Sequence, residues 1–237
     1  IDEPVAEVMA QVDQLKSLGQ LDGLTLLVEP SDNVGGGAPG SGITMLRVLI
    51  EASYTNVGVC LWDPAAVVAA SQAKIGDAMT LELGGLGSSL FEPPLTLRCE
   101  LLHFGDGEFE LEDKKSHLAS SVGSRFDMGQ IAVVRATDPG KPGGEATVLL
   151  TTRRTPPMDL GPWRHVGFDP ESFSIMVIKA AVSHRQAYDP IAKRQLWVDT
   201  PGPCSSRLES FPFQNLTRPI YPLAPLVDVI GRRSSAG

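Results

Sequence analysis

Cysteine is scarce: Cys60, Cys99 and Cys204 are the three in 237 residues, far apart and odd in number. That spacing makes neither a disulfide framework nor a zinc-finger ligand set, so each thiol reads as a small buried hydrophobe in a reduced compartment. Histidine is nearly as sparse. His103, His117, His165 and His184 are never within five residues of one another, so His-x-His and His-Glu-x-x-His are absent. A zinc site built wholly within this chain is therefore not expected. There is no Gly-x-Ser-x-Gly elbow either. No apolar run approaches the ~20 residues needed to span a bilayer. Basic charge is in deficit: the formal charge is −8 and no Lys/Arg run exceeds two, which argues against a nucleic-acid or anionic-membrane partner. The start, Ile1-Asp2-Glu3-Pro4, lacks a basic segment, an apolar signal core and an initiator Met. It reads as a cut inside a longer chain, with the cytoplasm as the expected compartment.

What the chain does have is glycine and proline, concentrated in residues 31–42. Six of the twelve residues there are Gly or Pro, set between a strand-like apolar run (24–28) and a helix-like amphipathic run (43–52). Gly accepts positive φ and lets a ligand or another backbone approach closely. Where such a loop opens a helix, free N–H groups and the helix dipole make an anion-friendly corner. The candidates are Asp32, Asn33, Gly35, Gly36, Gly37 and Gly40. No Gly-Lys-Ser/Thr ending follows, which excludes a Walker loop, and the dinucleotide pattern with its distant acidic residue is missing. A tight strand-to-helix turn packed under neighbouring backbone, with Asp32-Asn33 as an Asx-type turn, explains the same residues without a ligand.

Periodicity supplies the frame, a mixed α/β fold. Residues 4–18 repeat apolar side chains at helical spacing, with Asp2 as a cap and Gly19 as a stop. Residues 24–83 read β-loop-α-β-α-β, the pattern of a parallel sheet, with Asp63 capping and Pro64 opening the second helix. Residues 95–102, 108–112, 130–135 and 145–153 are short strands of an antiparallel extension, with Gly105-Asp106-Gly107 as a turn. Residues 114–127 read as a loop, 174–180 and 195–198 as strands, and 183–194 stay ambiguous. One domain over 1–223 and an extended or frayed tail over 224–237 are expected.

Chemistry outside the loop gathers at 179–189. His184-Arg185 precedes Tyr188, giving a titratable ring, a permanent cation and a phenol within five residues. Arg185 suits a bidentate grip on a carboxylate, with His184 as donor, proton carrier and candidate catalytic group. Equally, Arg185 can pair with Asp189 or Asp199 while His184 bonds backbone. Lys179 ends an apolar strand and is either placed for the same ligand or simply on the surface.

The string Asp32-Asn33-Val34-Gly35-Gly36-Gly37-Ala38-Pro39-Gly40 resembles the signature of the C-terminal half of the microcystinase C (MlrC) family. Residues 61–67, 179–185, 198–202 and 218–222 resemble later stretches of that half, in the same order. Ser41 departs from the family's usual Asp. The resemblance implies a zinc-dependent, metallopeptidase-like hydrolase of peptide amide bonds, microcystin-derived linear peptides being the eponymous substrate. It also implies that the metal ligands lie in the N-terminal half, the partner of this one. This chain would then shape the cleft and bind a peptide or carboxylate substrate through the Gly-rich loop, and would be inactive alone. A non-enzymatic ligand-binding or interaction domain is the alternative.

Overall fold

A computed structural model describes residues 2–217 and 219–225. Chain contacts divide it into two compact units, residues 1–204 and 205–237. Of the expected tail, 226–237 lie outside the described residues, as does Arg218 of the 218–222 motif.

The first unit is built on one nine-stranded sheet. Its strands are β1 (Glu3–Pro4), β2 (Thr25–Val28), β3 (Val57–Trp62), β4 (Ala78–Leu83), β5 (Leu95–Glu110), β6 (Arg125–Thr137), β7 (Glu145–Thr151), β8 (Ile175–Ile178) and β9 (Arg194–Asp199). Among the described residues six α-helices lie between them: α1 (Val5–Ser17), α2 (Thr44–Glu51), α3 (Pro64–Ala70), α4 (His117–Val122), α5 (Gly161–Arg164) and α6 (Arg185–Tyr188). The spatial order is β1-β9-β2-β8-β3-β7-β6-β5-β4. Neighbours from β1 to β7 run parallel, and β7-β6-β5-β4 is antiparallel. The mixed α/β class is as expected.

Three local expectations need correction. The third strand of the expected parallel segment, β4, runs antiparallel to β5 at the far edge of the sheet. Residues 95–110 form one strand instead of two, because the Gly105-Asp106-Gly107 segment keeps pairing through register shifts. Glycine there relieves a bulge within the ladder instead of closing a turn. Within 114–127, a short helix forms where Ser116 accepts the Ala119 N–H at 3.1 Å and caps it.

Both sheet faces are buried, as a parallel sheet requires. Leu27, Val59, Leu61, Val148 and Val177 meet α1, α2 and α3 on one face. Leu26, Val28, Leu149, Met176 and Ile178 meet Trp163, Phe173 and Tyr188 on the other. This period-2 split of one strand between two cores holds the central strands in register. Among the described residues, no helix is long and apolar enough to cross a membrane.

Candidate functional site

Strands β9, β2, β8 and β3 are parallel neighbours, so their C-terminal ends share one edge of the sheet. In open α/β sheets this is where functional loops collect. Four stretches far apart in sequence arrive there: the 29–42 loop after β2, Trp62-Asp63 after β3, Lys179 to Arg185 after β8, and Thr200 to Cys204 after β9.

Their root is a buried charge cluster. Glu29 and Asp32 are 1% exposed and Lys179 is 4% exposed. The Lys179 Nζ lies 2.8 Å from Glu29 Oε2 and 3.0 Å from Asp32 Oδ2, and donates to the Gly42 carbonyl at 2.7 Å. An ammonium has three donors, so Lys179 is saturated and carries no free hydrogen for a ligand. Burial alone would lower its pKa, but the two carboxylates outweigh that and hold it above the usual lysine range. Burial pushes the Glu29 carboxyl up, against the pull of Lys179 and the Thr200 hydroxyl.

The glycine amides are partly spoken for as well. Asp32 Oδ1 accepts the Gly40 N–H at 2.8 Å and Asp32 Oδ2 accepts the Gly42 N–H at 2.8 Å. These amides do face an anion, but it is the loop's own Asp32. The helix that follows does not open at the glycines: α2 begins at Thr44 and has no side-chain cap. Its neighbour is fastened alike, since Asp63 accepts from Ala66 N at 2.9 Å, capping α3, and from Gly84 N at 2.8 Å. On the β9 side, Ser31 Oγ meets Thr200 Oγ1 at 3.0 Å, and Cys204 N donates to the Ser31 carbonyl at 2.8 Å.

The tip of the loop is exposed, although its Gly36 and Gly37 amides donate to the Asn33 and Val34 carbonyls at 3.0 Å each. Gly35, Gly36 and Gly37 are exposed on a 3-10 turn, and Gly37 sits at φ +98°. Asn33 Oδ1 and Ser183 Oγ flank Gly35, at 3.4 and 3.6 Å from where a Cβ would stand. Both atoms are buried without a hydrogen-bond partner, as is His184 Nδ1. The structure therefore brings the glycine tip and the 183–185 segment together. His184 is fully buried, and burial lowers its pKa, keeping the ring neutral. Its Nε2 lies 3.0 Å from Gln195 Oε1, while Gln195 Nε2 donates to Asp189 Oδ1 at 2.6 Å. With Gln195 so oriented, the proton of His184 is assigned to Nε2. Arg185 is exposed and pairs with Asp189 at 3.1 Å, one of the two carboxylates open to it from the sequence.

Two residues at this edge, Glu29 and Arg154, went unnoticed in the sequence, and Thr200 was seen only as part of the 198–202 motif. Glu29 and Thr200 complete the charge cluster, and Arg154 lies with its guanidinium 5.0 Å from the Trp62 ring centroid. Trp62 in turn donates to the Thr152 carbonyl at 3.1 Å and abuts Gly87. Arg154 is exposed and forms no ion pair among the described residues. Its only sequence signal was the Arg153-Arg154 pair after β7, which means little until β7 is known to lie beside β3. Among the described residues, no three His, Cys, Asp or Glu side chains are grouped to hold a metal ion.

Fold and site together define a mixed α/β domain that gathers its sequence motifs on one strand edge around a buried Glu-Asp-Lys cluster. The family described as MlrC C-terminus matches residues 27–215, and the chain belongs to that family. It is similar to microcystinase C of Sphingomonas sp., at 21% identity over 204 residues, 85% of this chain and 36% of that protein. It is also similar to a crystal structure of a "putative metallopeptidase" from Mesorhizobium sp. BNC1. That match has a TM-score of 0.71 and 26% identity, covering 91% of this chain and 41% of the other. The chain thus spans well under half the length of either relative.

Proposed function

We propose that this chain is the substrate-side half of an MlrC-like hydrolase of peptide amide bonds, with zinc held by the N-terminal half. The observation that carries this reading is the gathering of four motifs at the C-terminal ends of β9, β2, β8 and β3, with an exposed glycine tip at their centre. Binding and orientation are the part proposed for this chain; among the described residues no three His, Cys, Asp or Glu side chains are grouped to hold a metal ion. The metal, in the other half, would activate water and polarise the scissile carbonyl. Because Asp32 fills the Gly40 and Gly42 amides, the Gly36 and Gly37 amides donate to the Asn33 and Val34 carbonyls, and Lys179 is saturated, the substrate's carboxylate is met by Arg154. Arg154 lies against Trp62, which limits its rotamers and aims a planar fork at an anion. Asn33 and Ser183 stand below the tip and orient a donor on the substrate once the tip shifts.

The test is peptide hydrolysis by the protein that contains both halves, loaded with zinc. Arg154→Met should raise KM about tenfold for a peptide with a free carboxylate, a charge-assisted contact of about 1.5 kcal/mol. It should leave kcat, and the KM of the amidated peptide, nearly unchanged. If the wild-type protein cleaves no peptide amide bond, the hydrolase reading fails. If Arg154→Met affects both peptides equally, its carboxylate role fails.

A further inference from the structure

Beside the loop edge, across Met158, lies a groove of about 320 Å³. Met158 belongs to both places: its methyl is 2.9 Å from the position of a Cβ on Gly35, and the same side chain lines the groove. Leu160, Ala187 and Ile191 give the groove an apolar wall, and Glu112, Asp113 and Asp159 face them.

The charges on that acidic side do not cancel. Arg164 is the cation among the lining residues, and three carboxylates share it: Glu112 at 2.7 Å, Asp169 at 3.3 Å and Glu171. Asp113 accepts from neutral groups, Gln186 Nε2 at 2.6 Å and the backbone N–H of Lys115 at 2.8 Å. Asp159 is 3% exposed and accepts the backbone N–H of Glu112 at 3.0 Å and of Gly161 at 2.7 Å. The nearby Lys114 is taken by Glu110 at 3.0 Å. Among the residues that line it, three carboxylates stand against one guanidinium, so the groove pairs an apolar wall with a net negative charge.

We propose that this groove binds the side chain of a lysine or arginine residue of a peptide. Such a side chain lays a hydrocarbon stem on apolar surface and keeps its cationic head in water, which matches the two sides of the groove. The volume sits at the low end of the ~300–1,000 Å³ range of ligand pockets, enough for one long side chain. A bare metal ion would leave the apolar wall unused, and an anion would meet repulsion. The proposal goes beyond the hydrolase reading and does not rest on it, since a domain that binds basic peptides without cleaving them would need the same groove.

The test is an amide-resolved NMR titration of the whole chain with N-acetyl-arginine amide, and with N-acetyl-leucine amide as control. Saturable shifts of Gln186, Ala187 and Ile191 are expected with the arginine probe and far weaker ones with leucine. Raising salt from about 20 to about 300 mM should weaken binding several-fold, because the head contacts lie within screening reach of solvent. Asp113→Asn, an exposed change, should weaken it at least about threefold, and adding Glu112→Gln about tenfold. Ala187→Trp, which fills the groove with all charges kept, should abolish it, with folding checked by circular dichroism. Non-saturating shifts, equal binding of leucine, or affinity undiminished by Asp113→Asn would each overturn the proposal. Loss of peptide hydrolysis in the two-half protein would not bear on this titration, so the two readings fail separately.

Discussion

Lys179→Met puts the buried cluster to its hardest test. The substitution keeps a four-atom stem in the cavity and deletes an ammonium bonded to Glu29 Oε2, Asp32 Oδ2 and the Gly42 carbonyl. Both carboxylates are 1% exposed and would lose their cation. Removing one partner of a buried pair costs about 3–5 kcal/mol. Glu29 already has a raised pKa and can take up a proton, which places the expected loss near the lower end, about 3 kcal/mol. With a urea slope of about 2–3 kcal/mol/M, the unfolding midpoint should fall by about 1–1.5 M. The pKa of Lys179 is raised from 10.5, so its contribution is complete below that value and is lost as pH rises through the folded pKa. The measurement therefore belongs near neutral pH. Combined with Glu29→Gln, the loss should be sub-additive by about 1 kcal/mol or more, since the two side chains touch. A loss below about 1 kcal/mol for Lys179→Met alone would mean that water reaches the cluster, and the account of the saturated ammonium would fail.

Glu29→Gln should change the pH dependence more than the stability. The native carboxyl holds its proton above 4.5, where the unfolded one releases it, so stability should fall as pH rises from about 4.5 through the raised pKa, and the variant should lack that slope in urea titrations. Gly202→Ala should destabilise by about 2–3 kcal/mol in the same assay, because its Cβ would stand 2.3 Å from the Ser31 carbonyl oxygen and push β9 and β2 apart at the edge.

Local elements were legible because each writes its own period. The short apolar runs at 25–28 and 175–178 and the helical spacing in 5–17 need no partner to be read. Asp63 was readable as a cap for the same reason: Pro64 and the apolar run follow it directly. The order of the strands was hidden, since nothing in residues 57–62 says that β8 and β7 will flank them. That gap also hid the site. The burial of Lys179 depends on β8 lying beside β2, which brings Glu29 and Asp32 to it across 150 and 147 residues. Read alone, a lysine at a strand end has no such partners. Arg185 shows the opposite: its carboxylate lies four residues on, and so was among the partners foreseen.

The order β1-β9-β2-β8-β3 has a consequence for how the chain is made. Each contact between neighbours in this run joins a strand from residues 3–62 to one from residues 175–199. During synthesis β2 and β3 emerge before β8 and have no permanent neighbour on the side that β8 will fill, because that place waits for residues 175–178. The nascent sheet therefore holds two bare apolar edges for more than a hundred residues of elongation, and folding is slow because its decisive pairings are distant. A ribosome stalled before residue 175 would carry one five-stranded sheet, β3-β7-β6-β5-β4, and two strands, β1 and β2, with no partner, and would lack the lysine that neutralises the loop after β2.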